Sequence, residues 1–67
     1  MEQLFRLGAV SSAAKARRIL NERGIKGRIT KTNVTEEGCV WGIAVLGKDA
    51  EKAALALRTE GIRYEAL

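Results

Sequence analysis

The chain has no histidine and only one cysteine among its 67 residues. Without histidine, catalytic triads and dyads built on an imidazole base are excluded, and any reaction would have to run on Cys39, carboxylates or amines. One cysteine makes neither an internal disulfide nor a Cys/His zinc site, so stapling and structural metal are excluded and no cofactor is expected. There is no run of about 18 apolar residues, and no charged leader with an apolar stretch behind it. A membrane span and a secretion signal are therefore not expected, and the cytoplasm is the expected location. Aromatic residues are scarce too, with one Phe, one Trp and one Tyr.

What is present is 46% hydrophobic and fits one domain over residues 1–67. A chain of this size buries only about 60% of its unfolded surface, so a thin core without deep pockets is expected. Twelve Lys and Arg against eight Asp and Glu leave a net charge of +4, which attracts anions without specifying them.

Sliding the chain against itself gives a weak repeat at an offset of 37 residues. Ser12 falls on Asp49, Ala13 on Ala50, Lys15 on Lys52, Ala16 on Ala53, Leu20 on Leu57, Gly24 on Gly61, Ile25 on Ile62 and Lys26 on Arg63. Each half reads as a helix, over 12–23 and 49–60, with Ser12 and Asp49 as N-caps and Gly24 and Gly61 as left-handed stops. Ala13, Ala16, Ile19 and Leu20 form the apolar stripe of the first helix, and Ala50, Ala53, Ala56 and Leu57 that of the second. Leu55 is an outlier, because it falls on the polar side where Arg18 sits in the first helix.

Four apolar segments too short for helices read as strands at 2–8, 27–33, 39–46 and 62–66. The order β-α-β-β-α-β, with a hairpin loop over residues 33–38, gives an α+β ferredoxin-like split sandwich. It has a four-stranded antiparallel sheet with both helices on one face. Strands one and three are expected at the centre, in parallel pairing, and the other sheet face is expected to stay open. Along the third strand Cys39, Trp41, Ile43 and Val45 share one side, while Val40, Gly42, Ala44 and Leu46 share the other. Both sides lack charge, so the outward one predicts an apolar strip.

Cys39 lies in Gly38-Cys39-Val40-Trp41-Gly42, after the acidic Thr35-Glu36-Glu37 and at the entry of the third strand. A lone cysteine opening an apolar strand reads first as a packed side chain and second as a reactive thiol. Lys31 and Arg28 on the neighbouring strand could approach and favour the thiolate, whereas Glu36 and Glu37 would oppose it. Trp41 reads first as a core anchor, and Gly42 as a position of close approach. Arg17, Arg18, Arg23, Lys26 and Arg28 cluster around the first helix and could meet phosphate or an acidic partner. A solvated helix face is the simpler reading. RNA readers of this topology stack bases on aromatics of the central strands, and only Phe5 and Trp41 are available, so nucleic acid is not an expected partner. Copper carriers of this topology need paired cysteines before the first helix, where this chain has Gly8-Ala9-Val10-Ser11-Ser12.

Taken together, Phe5-Arg6, Ser11-Ser12-Ala13, Ala16-Arg17-Arg18-Ile19-Leu20, Gly24-Ile25-Lys26, Lys31-Thr32 and Gly38-Cys39-x-Trp41-Gly42-Ile43 resemble a small bacterial family of unknown function described as selenium/sulfur carrier-like. The chain departs from that family's pattern at Val40, where glycine commonly follows the cysteine, and at Asn33, where proline often follows the basic-threonine pair. The resemblance implies a carrier that holds a persulfide or selenosulfide on Cys39, with Gly38, Val40, Trp41, Gly42 and Lys31 around it. Its partners would be a protein donor and a protein acceptor of sulfur or selenium. The residues favour a carrier or binding protein over an enzyme. The alternative is a non-catalytic interaction module pairing through its open sheet face or through Leu55, with a weak homodimer as one form. A nucleic-acid accessory role ranks third.

Overall fold

Strand-forming and helix-forming segments alternate along the chain, and the backbone pairs accordingly. The computed structural model describes residues 1–35 and 38–67, with side chains described outside residues 33–37. In order come β1 (Glu2–Gly8), α1 (Val10–Glu22), β2 (Gly27–Thr35), β3 (Gly38–Leu46), a 3-10 turn (Gly47–Asp49), α2 (Ala50–Thr59) and β4 (Glu65–Ala66). The sheet order is β2-β3-β1-β4, with every neighbouring pair antiparallel. This is the small α+β ferredoxin-like arrangement.

The parallel pairing expected between the first and third strands is not found. Phe5 faces Ile43 and Glu2 faces Leu46 in an antiparallel register. Topology is the reason: the α1 crossover returns the chain so that β2 runs with β1, and the hairpin then reverses β3 against both.

Gly24 and Gly61 end the two helices with φ of 74° and 73°. Beyond each helix the same pair of backbone bonds closes. Ile25 N–H donates to Leu20 C=O at 2.9 Å and Gly24 N–H to Asn21 C=O at 3.1 Å, and Ile62 to Leu57 and Gly61 to Arg58 do so at the same two distances. These are two Schellman caps at repeat-related positions, and they satisfy carbonyls that a helix end leaves free. Arg23 donates to Glu60 at 3.1 Å, which ties the two C-cap residues together. A β-carbon at Gly24 would meet no atom within 4 Å, so the cost of adding one is that of the left-handed backbone conformation. Gly24→Val is expected to lower stability by about 2 kcal/mol, read as a lower urea midpoint at unchanged slope. An unchanged midpoint would refute the cap's contribution.

The N-terminal caps differ from expectation. α1 begins at Val10, with Ala9 in the cap position and no side-chain cap bond. Ser12 lies inside the first turn, where its own N–H donates to Ala9 C=O at 3.1 Å. Gly8, at φ 99°, turns the chain straight out of β1 and lets the helix start early. Asp49 does occupy the cap position of α2, but its side chain makes no cap bond. β4 is also shorter than expected, because Ile62 is still tied to Leu57 by the helix cap. Pairing with β1 starts only at Glu65 opposite Arg6.

Both helical stripes face the sheet as read from the sequence. Ala16, Ile19 and Leu20 of α1 and Ala53, Ala56 and Leu57 of α2 form one buried cluster with Phe5, Ile43 and Val45, and Ala13 is buried as well. Tyr64 completes one end, with its ring edge-on to Phe5 at 5.3 Å and 89°. Among the described residues no helix is long and apolar enough to cross a membrane.

Candidate thiol site

β3 outruns its partner on one side. It pairs with β2 from Val45 opposite Gly27 out to Gly38 opposite Thr35, but its pairing with β1 stops at Trp41 opposite Gly8. Gly38, Cys39 and Val40 therefore belong to a two-stranded extension that β1 does not pair with. The hairpin loop expected over residues 33–38 shrinks accordingly, since β2 continues to Thr35 and β3 begins at Gly38. Glu36 and Glu37, expected to oppose ionisation of the thiol, lie outside the described residues.

The register changes where this extension leaves the sheet. β1 carries one extra residue between Arg6 and Gly8, and β2 carries one between Lys31 and Asn33, both around the level of Trp41. Bulges increase local twist and re-aim a strand. Thr32, the extra residue of β2, donates its hydroxyl to Val40 C=O at 3.1 Å and so secures the bulge. Gly42 makes the close approach possible: a β-carbon there would lie 2.3 Å from the Phe5 carbonyl oxygen and 2.6 Å from the Thr32 methyl. Gly38 opens the extension at φ 131°, a conformation that suits glycine.

Cys39 is exposed, which overturns the reading of it as a packed side chain. The reason is the extension itself: an apolar strand packs only where a second layer lies against it, and the core ends at Ile43. Trp41 is corrected for the same reason. It is half-buried and stands outside the core cluster, with the Lys31 ammonium 5.5 Å from its ring centroid. Such an exposed cation–π contact contributes about 0.5–1 kcal/mol.

Lys31 pairs in register with Trp41, whereas Cys39 faces Val34. The described contact of Lys31 is thus with the indole and not with the thiol. Arg28 does not approach Cys39 either. It sits opposite Ala44, five residues and roughly 16 Å along the strand, and donates to Glu2 at 2.8 Å.

The outward sheet face is less apolar than its β3 residues suggest. Ala44 is buried between Leu4 and Arg28 in register, and the Arg28–Glu2 and Arg6–Glu65 ion pairs cross the face on either side. The hydrogen bond from Arg6, aided by its charge, holds the Glu65 carboxyl below its ordinary range. Of Val40, Gly42, Ala44 and Leu46, only Leu46 is exposed. Val40, next to the thiol, lines a shallow groove with Arg6, Arg63 and Tyr64.

Of the basic cluster, Arg23 and Arg28 are engaged with acids. Arg17 and Arg18 line a shallow groove between α1 and β2 with Asn21 and Ile29.

The structure thus brings Gly38, Cys39 and Val40 together on the extension, with Trp41, Lys31 and Gly42 at its root. Thr32 and Leu7, the bulge residues, were not identifiable from periodicity, and the one sequence signal for that junction is Gly42 inside an otherwise apolar strand. No family model, curated protein or solved structure matches this chain.

Proposed function

We propose that this protein is a cytoplasmic carrier that holds sulfur or selenium on Cys39 and passes it from a protein donor to a protein acceptor. The observation that supports the reading is the exposure of the chain's one thiol on a two-stranded extension beyond the pairing with β1. A carrier thiol must be reached twice, by a donor and then by an acceptor, and an extension presents it to both. The resemblance of the sequence to selenium/sulfur carrier-like proteins points the same way.

In loading, the Cys39 thiolate attacks the terminal sulfur of a donor persulfide. The donor S–S bond breaks, the donor leaves as a thiolate, and Cys39 becomes a persulfide. In delivery, an acceptor nucleophile attacks that terminal sulfur and Cys39 leaves as a thiolate, so no external oxidant or reductant is consumed. A selenosulfide follows the same exchange with selenium in the terminal position. The groups around the thiol position it and shape access to it.

Incubation with glutathione persulfide is expected to make the folded protein one sulfur atom heavier by intact mass, with the gain reversed by a thiol reductant. Native Cys39 should be alkylated at a rate approaching that of a free thiol of the same pKa. Cys39→Ser should abolish the adduct and leave stability within about 0.5 kcal/mol, as for an exposed position. Alkylation only after denaturation, with no mass gain on the folded protein, would refute the carrier reading.

A further inference from the structure

α2 buries Ala53, Ala56 and Leu57 and leaves Leu55, its other large apolar side chain, 58% exposed. Leu55 shares one helix face with Glu51, Ala54 and Arg58, since Ala54, Leu55 and Arg58 follow Glu51 at three, four and seven positions. A shallow trough beside Leu55 is lined by these four and Lys52. The stripe carries an acid at its N-terminal end, a base at its C-terminal end, and a small residue next to a large apolar one at its centre. Among the described residues Glu51 has no ion-pair partner. Arg58 spends one nitrogen on the Tyr64 hydroxyl, at 3.0 Å, and has others to offer.

We infer that this stripe is a docking surface for a second copy of the chain, with the two α2 helices packed antiparallel about a two-fold axis between Ala54 and Leu55. The charge order selects this occupant and this orientation. Under the two-fold, Glu51 of each copy lies opposite Arg58 of the other, so two ion pairs form with no residue supplied from elsewhere. Leu55 of each copy then covers the small Ala54 of the other, and both leave water. A parallel arrangement would instead set Glu51 against Glu51 and Arg58 against Arg58. The ten residues of α2 make a seam about 15 Å long, smaller than a standard interface, so the association is weak, with Kd on the order of 100 µM. The outward sheet face is a poorer site for a second copy, since its ion pairs are already closed within the chain.

This inference does not depend on Cys39. Sedimentation of the full chain with reductant present, which prevents a Cys39–Cys39 disulfide, is expected to show monomer–dimer exchange between roughly 10 µM and 1 mM. Leu55→Glu should weaken it at least tenfold, and so should Glu51→Arg and Arg58→Glu singly, because each single change sets like charges across the seam. An equimolar mixture of the Glu51→Arg and Arg58→Glu proteins should associate again, since only the mixed dimer restores both ion pairs. A wild-type chain that is monomeric at about 1 mM overturns the inference. So does a dimer that is indifferent to the single changes, or a mixture that fails to reassociate while both variants keep wild-type circular dichroism.

Discussion

Gly42→Ala is expected to cost about 3 kcal/mol and Gly42→Val to leave the chain unfolded at room temperature. The added β-carbon would stand 2.3 Å from a carbonyl oxygen of the neighbouring central strand, and that oxygen is backbone, which cannot rotate out of the way. Relief would require β1 and β3 to separate, in the pairing that carries Phe5 and Ile43 into the core. A domain of 67 residues has a margin of roughly 3–10 kcal/mol, so the alanine variant should lose much of it. Gly27 provides the control. A β-carbon there meets mainly the far end of Ile43, at 2.5 Å, which can change rotamer, so Gly27→Ala should be milder. Urea unfolding of both variants decides it, and a Gly42→Ala loss under about 1 kcal/mol would refute the close-approach account.

The same glycine marks how far the sequence could be read. Helix stripes, helix stops and the order of elements were legible because each follows from a local rule: burial at a 3.6-residue period, left-handed glycine after a helix, short apolar runs rich in strand-forming residues. The direction of pairing between β1 and β3, set by topology, was not. Leu55 stood out as exposed by the same rule. The site was legible only in its identity. Cys39 was the one thiol, but its exposure depends on where β1 stops pairing with β3, and that depends on bulges at Leu7 and Thr32. A bulge adds one residue and leaves the alternation of the facing strand intact, so β3 reads as uniformly apolar although its first residues lie beyond the core. The caps show the same limit. Ser12 has the right chemistry for an N-cap, yet Gly8 had already turned the chain, and the cap fell to Ala9.

Leu57→Ala is expected to cost more than Leu20→Ala, although the repeat superposes the two residues. Both are fully buried, and each carbonyl accepts the isoleucine N–H of a Schellman cap. Truncating a buried leucine costs about 2–5 kcal/mol, and the spread reflects what remains to close over the cavity. α1 keeps Ile19 beside Leu20, but the other buried residues of α2 are alanines, Ala53 and Ala56. Without Leu57, α2 has no large side chain in the core, so the cost should fall near 4–5 kcal/mol, against nearer 2–3 kcal/mol for Leu20→Ala. The loss should also be uneven. Amide exchange in α2 should rise before that of β2 and β3, whose mutual pairing does not involve α2. Self-association through Leu55 should disappear along with α2 protection, while alkylation of Cys39 should stay at the native rate in whatever fraction remains folded. Equal losses for the two leucines, or uniform exchange across all elements, would show that the two helices are anchored alike and that the single large side chain of α2 is not what holds it.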